Sequence, residues 1–148
     1  MAKLRSRASR PETGGRVDSD SFDGFGDELT LVVPPYSGFL RAIRLVAADA
    51  AVRAGLDVEE TEDFRLAVDE LCHTLMTATD HPLALWFTTE NGGAVARGSA
   101  RGRDGSGRPI ISDLSATIIE SLSDDYELTR RAGQLEFTVT RKMGAHHR

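Results

Sequence analysis

The stretch "RLAVDELCHTL", Arg65 to Leu75, decides how this chain is read. With Phe64 before it, Ala67, Val68, Leu71 and Leu75 recur at intervals of three and four, and Leu66 is expected to pack with them. At about 3.6 residues per turn such positions share one face, so the spacing predicts an amphipathic helix packed on a sheet. Glu70 and Thr74 stand one turn apart beside that stripe. Upstream, Asp57 has the residue type and position of an N-cap, and Glu59, Glu60 and Glu62 favour the positive end of the helix dipole. Pro82 and the polar residues before it end the helix.

Working outward, "ELTLVVPP" is a strand stopped by Pro34-Pro35. Ser37 is then the expected N-cap of a helix through "GFLRAIRLVAADAAVRAG", with Phe39, Leu40, Ile43, Val46, Ala47, Ala50 and Ala51 at helical spacing and Gly55 closing it. After the second helix, "PLALWFTTENGGAVARGSARG" reads as a hairpin. Leu83, Leu85 and Phe87 alternate with Ala84, Trp86 and Thr88, and Asn91-Gly92 supplies the turn. Its second strand, from Ala94, is weakened by Gly98 and small residues. "RGRDGSGRP" is a flexible loop, followed by a helix from about Ser112 to Leu122 with Leu114, Ile118 and Leu122 on one face. "DYELTRR" and "QLEFTVTRK" form two strands around Ala132-Gly133. The order β-α-α-β-β-loop-α-β-β predicts an α+β fold: a two-layer sandwich of one mostly antiparallel sheet covered by helices. Residues 1–27, poor in apolar side chains, read as a disordered N-terminal tail, 28–142 as the domain and 143–148 as a C-terminal tail.

Composition narrows the function. The 148 residues suit one domain. Residues 1–16 carry a net +4, which leaves −9 on the rest of a chain whose total is −5. An acidic body repels phosphate backbones, so direct nucleic-acid binding is not expected, whereas a basic protein partner suits it. A single cysteine, Cys72, rules out an internal disulfide and a cysteine zinc cluster. His73 lies about 100° round the helix from Cys72, the wrong placement for a thiol and its base. No apolar run reaches the roughly 18 residues of a membrane span, and "MAKLRSRASR" is basic without an apolar region behind it. These features point to a cytoplasmic protein without membrane insertion.

Two segments carry a resemblance. "FRLAVDELCHTLM" resembles the N-box helix of the anti-sigma factors with serine-kinase activity, within the GHKL (Bergerat-fold, histidine-kinase-like ATPase) superfamily. "TIIESLSDDYELTRRAGQLEFTVTRK" resembles the final helix and hairpin of the same proteins, and the element order over about residues 28–142 fits. The short loop and altered motif look most like divergent actinobacterial members.

The resemblance implies specific roles. In active members a Glu-x-x-x-Asn pair on this helix supplies the general base and the Mg²⁺ ligand of a bound ATP. Here Glu70 holds the position of the base, and Thr74 stands where the asparagine would be, a shorter and neutral ligand. The family's Asp-x-Gly-x-Gly box, whose Asp reads adenine, is matched in residue type but not in spacing by Asp104, Gly105 and Gly107. The later Gly-x-Gly is missing, since no glycine stands between Pro109 and Leu122. ATP and Mg²⁺ are therefore implied as cofactors held weakly or not at all. The family role is to dimerise and sequester an alternative RNA-polymerase sigma factor until a STAS-type antagonist, the anti-anti-sigma factor, competes for it. Arg41, Arg44, Glu59 and Glu62, read from amphipathicity as exposed on the first two helices, are the expected partner contacts. An active serine kinase on the antagonist and a non-catalytic scaffold of another pathway are the alternative readings.

Overall fold

The computed structural model describes residues 3–6, 28–103 and 111–144. In chain order the elements are β1 (Lys3–Ser6), β2 (Leu29–Val33), α1 (Leu40–Arg53), α2 (Val58–Met76), β3 (Leu83–Glu90), β4 (Gly93–Arg101), α3 (Asp113–Leu122), β5 (Asp125–Arg131) and β6 (Gln134–Lys142). The six strands form one sheet in the order β1-β2-β3-β4-β6-β5, every neighbouring pair antiparallel. Three helices cover one face of it, an α+β two-layer arrangement.

Register explains which side is covered. Leu31, Leu85, Gly98, Phe137 and Leu128 stand opposite one another across five strands. Side chains two apart share a face, so Val33, Leu83, Phe87, Ala96, Ala100, Leu135 and Val139 point the same way, and all are buried. Onto this face fall Ile43, Ala47, Ala50 and Ala51 of α1 and Phe64, Ala67, Val68, Leu71 and Leu75 of α2, the last five as the periodicity predicts. Trp86, on the alternate register of β3, is half-buried on the helix-free face. The β4 strand, expected to be weak, is the interior strand between β3 and β6. Its small residues are what let α1, α2 and the Phe137 ring approach it.

The helix ends follow local chemistry. Gly55, at φ +89, receives the end of α1: Gly55 N donates to Val52 O and Leu56 N to Ala51 O, the two bonds of a Schellman motif. Asp57 caps α2 as predicted, its carboxylate accepting from Glu60 N at 2.7 Å while Glu60 Oε1 accepts from Asp57 N at 3.0 Å. Glu60 is therefore more than a dipole charge. It is 2% exposed, and its Oε2 accepts from Gly144 N at 2.7 Å, tying the segment just past β6 to the start of α2.

Five expectations need correction. Lys3–Ser6, read as part of a disordered tail, pairs with β2; backbone pairing on an open sheet edge needs no apolar sequence signal, and the remainder of 1–27 lies outside the described residues. Met143 and Gly144, read as tail, are bonded to Gly92 O and Glu60. Ser37 does not cap α1: the chain leaves Pro34-Pro35 through a 3-10 turn over Ser37–Phe39, and Phe39 in the cap position makes no side-chain bond. Leu66 is 38% exposed, because it precedes Ala67 by one residue and so lies about 100° off the buried stripe. In α3 the buried residue is Ile119, while Leu114, in the first turn, is exposed.

Candidate functional site

The two longest helices divide the helical layer, and ion pairs mark their sides. Asp69 of α2 meets Arg44 of α1 at 2.8 Å. Asp63, about 120° round the helix from Asp69, meets Arg141 of β6 at 3.1 Å, and Arg141 also reaches Asp124 before β5 at 3.3 Å. Glu70 follows Asp63 by seven residues, about two turns, and so lies on the same side, away from α1. Thr74 and Thr77 continue that side toward the end of α2. The structure thus brings Glu70 and Thr74 together on one helix face, as their spacing predicts.

Their states differ. Glu70 is half-buried and retains solvent access. Thr74 is 7% exposed, and its hydroxyl donates to the Glu70 carbonyl at 2.9 Å, bonding the helix to itself. One turn on, Thr77 Oγ1 donates to Thr74 O at 2.8 Å. These back-bonds are how hydroxyls within helices satisfy themselves.

Beyond the helix lies a polar node that sequence reasoning missed. Arg103, at the end of β4, donates from Nη1 to Thr77 O at 2.7 Å and from Nε to Asp80 Oδ1 at 3.1 Å. Its backbone N–H donates to Ala78 O at 3.1 Å, and its carbonyl accepts from Arg130 Nη2 at 3.1 Å. Thr79 Oγ1 donates to Arg101 O and accepts from His81 N. The Arg130 guanidinium occupies the place a Cβ on Gly102 would take, 2.4 Å from its Nη1. The node binds the exit of α2 to the segment Gly102–Arg103 that follows β4. The one signal for it was a glycine between two arginines, Gly102, which carries no periodicity.

Asp104, Gly105 and Gly107, named with Thr74 as nucleotide-binding candidates, lie outside the described residues. The four partner-contact candidates are scattered. Arg41 is exposed at the start of α1, and Glu59 at the start of α2. These positions stand at opposite ends of a helix of about 20 Å. Glu62 is exposed and pairs with Arg65, while Arg44 is engaged with Asp69 and ties α1 to α2. The helical layer also exposes Leu45, Val52, Val58 and Leu66.

The residues present do not fit a Mg²⁺ held as the resembled family holds it. Thr74 offers no carboxamide oxygen, and its hydroxyl is buried against the main chain. Among the described residues no three His, Cys, Asp or Glu side chains gather to hold a metal ion. No helix among them is long and apolar enough to cross a membrane. A scan of known protein-family models finds no match to the chain, and a search of curated proteins finds none either.

Proposed function

We propose that this chain is a cytoplasmic, dimeric anti-sigma factor that works by binding. It sequesters an alternative RNA-polymerase sigma factor, and a STAS-type anti-anti-sigma factor releases it by competition. The reading rests on the resemblance of the α2 sequence and of the α3–β5–β6 sequence to that family. The observation that carries it is Thr74: where kinase members place an asparagine, this chain has a hydroxyl that is 7% exposed and donates to the Glu70 carbonyl. A chain with such a helix regulates through its surfaces, and the exposed Leu45, Val52 and Leu66 on an acidic body suit a basic protein partner. Two partners then compete by affinity and concentration.

The test is co-purification of the full chain with the sigma factors of its own cell. One of them is expected to bind, with association slowed by salt. Binding of none overturns the reading and leaves a regulatory scaffold of another pathway. A second reading, an ATP-dependent serine kinase acting on the antagonist, is favoured by the solvent-accessible Glu70 in the position of the base. Titration with MgATP separates the two. The binding reading predicts little or no uptake at millimolar nucleotide, and recovery of uptake in Thr74→Asn identifies the lost ligand. Phosphate transfer to an antagonist serine by the unaltered chain would establish the kinase.

A further inference from the structure

Asn91 is the only asparagine in the chain, and Gly92 follows it at the tip of the β3–β4 hairpin. Both residues are exposed. Their φ angles, 51° and 77°, are those of a tight two-residue turn. A Cβ on Gly92 would meet nothing within 4 Å, so the second turn position stands open on its side-chain side. That nitrogen is not among the donors of the turn bonds, although the Gly92 carbonyl accepts from Met143 N at 3.1 Å.

We propose that Asn91 is a site of spontaneous deamidation, with water as the only co-reactant. The Gly92 peptide nitrogen, having given up its proton, attacks Cγ of Asn91. A C–N bond forms to close a five-membered imide, and the bond from Cγ to the carboxamide nitrogen breaks, releasing ammonia. Water then opens the ring. Addition at Cγ restores the normal chain with an aspartate side chain. Addition at the main-chain carbonyl carbon instead leaves the chain running through Cγ, an isoaspartyl link. In either case one carboxamide and one water give one carboxylate and one ammonium, with no oxidation. Glycine at the second position leaves the approach to Cγ open, and a hairpin tip relaxes from its native angles at low cost.

The position of the turn gives the modification a structural reach. Met143 N holds the Gly92 carbonyl, and the next residue, Gly144, donates to Glu60 in the capping box of α2. An isoaspartyl link inserts an extra carbon into the main chain just before that carbonyl and loosens the tie. The aspartyl product adds a charge and leaves the backbone path unchanged.

The test incubates the full chain at neutral and mildly alkaline pH and reads intact mass and a peptide map. Two products are expected at Asn91, formed several-fold faster in alkali. They are absent from Asn91→Gly, which keeps a turn tolerant of positive φ. Gln134, the only other carboxamide side chain, is half-buried and donates to Ser99 Oγ, and the map separates it. A synthetic peptide spanning residues 87–96 sets the unstructured rate. If the folded chain gains no charge while the peptide converts fully, the site is overturned. The separated isoaspartyl fraction is expected to melt several degrees below Asn91→Asp. Equal melting overturns the structural consequence.

Discussion

Cys72 shows how far the setting of one residue decides its chemistry. None of its surface is exposed, and burial pushes its thiol up, with the nearby Asp69 carboxylate acting in the same direction. The thiolate is the reactive form, so the native chain is expected to resist alkylation by iodoacetamide and to react fully once unfolded. Modification of the native chain at the rate of a free thiol would show that α2 opens locally. Glu90 behaves in the opposite sense. The Arg97 guanidinium, then the Thr88 hydroxyl, bond its carboxylate and hold it below its ordinary value of 4.5. A depressed carboxyl contributes stability above its unfolded value and loses it as pH falls through the folded one. Glu90→Gln is thus expected to lose that contribution at neutral pH, where it is fully present, and to converge on the unaltered chain as pH falls below about 4.5, which flattens the acid limb. The pair is 44% and 40% exposed, so the effect is a few tenths of a kcal/mol at most, measured by urea unfolding across that range. At this scale the sequence was readable where a residue's neighbours lie close along the chain. Cys72 beside the buried stripe and Thr74 bonding its own helix could be inferred. Arg103 could not, since its partners lie 23 and 26 residues away and no local pattern records them.

At the scale of elements, turns and caps carried most of what could be read. The box of Asp57 and Glu60, the glycine after α1 and the two hairpin turns all appear where short-range chemistry places them. Ala132 is an exception in kind. It sits at φ 51 in the β5–β6 turn, a conformation in which its Cβ crowds the following carbonyl. Ala132→Gly is expected to relieve this and to stabilise the chain by about 0.5–1 kcal/mol, read as a rise of a few degrees in Tm. A fall in Tm would mean that the Ala132 methyl makes packing contacts that outweigh the strain. Edges were less legible than turns. The strand at Lys3–Ser6 has four residues and draws its order from the open side of β2, which no property of its own sequence announces.

The whole sheet depends on a contact that neither strand specifies alone. Gly98 of β4 lies opposite Phe137 of β6, and a Cβ on Gly98 would fall 2.2 Å from the Phe137 ring. Phe137 is 2% exposed and belongs to the core that α1 and α2 share with the sheet, so its ring has little room to give way. Read along β4, Gly98 looks like a weak point in a strand. In the sheet it is the recess that lets an interior aromatic lie flat over the central strand and lets α2 close onto it. Gly98→Ala is therefore expected to cost about 2–3 kcal/mol, despite replacing glycine with a residue better suited to most strands. Chemical denaturation reads the loss. Shortening the ring should return part of it: Gly98→Ala with Phe137→Leu is expected to be more stable than the sum of the single changes predicts, by about 1 kcal/mol or more of coupling. Strict additivity would mean that the sheet accommodates the methyl by shifting β4 as a whole. The close packing of Gly98 against Phe137 would then not be what fixes the position of β4 beside β6.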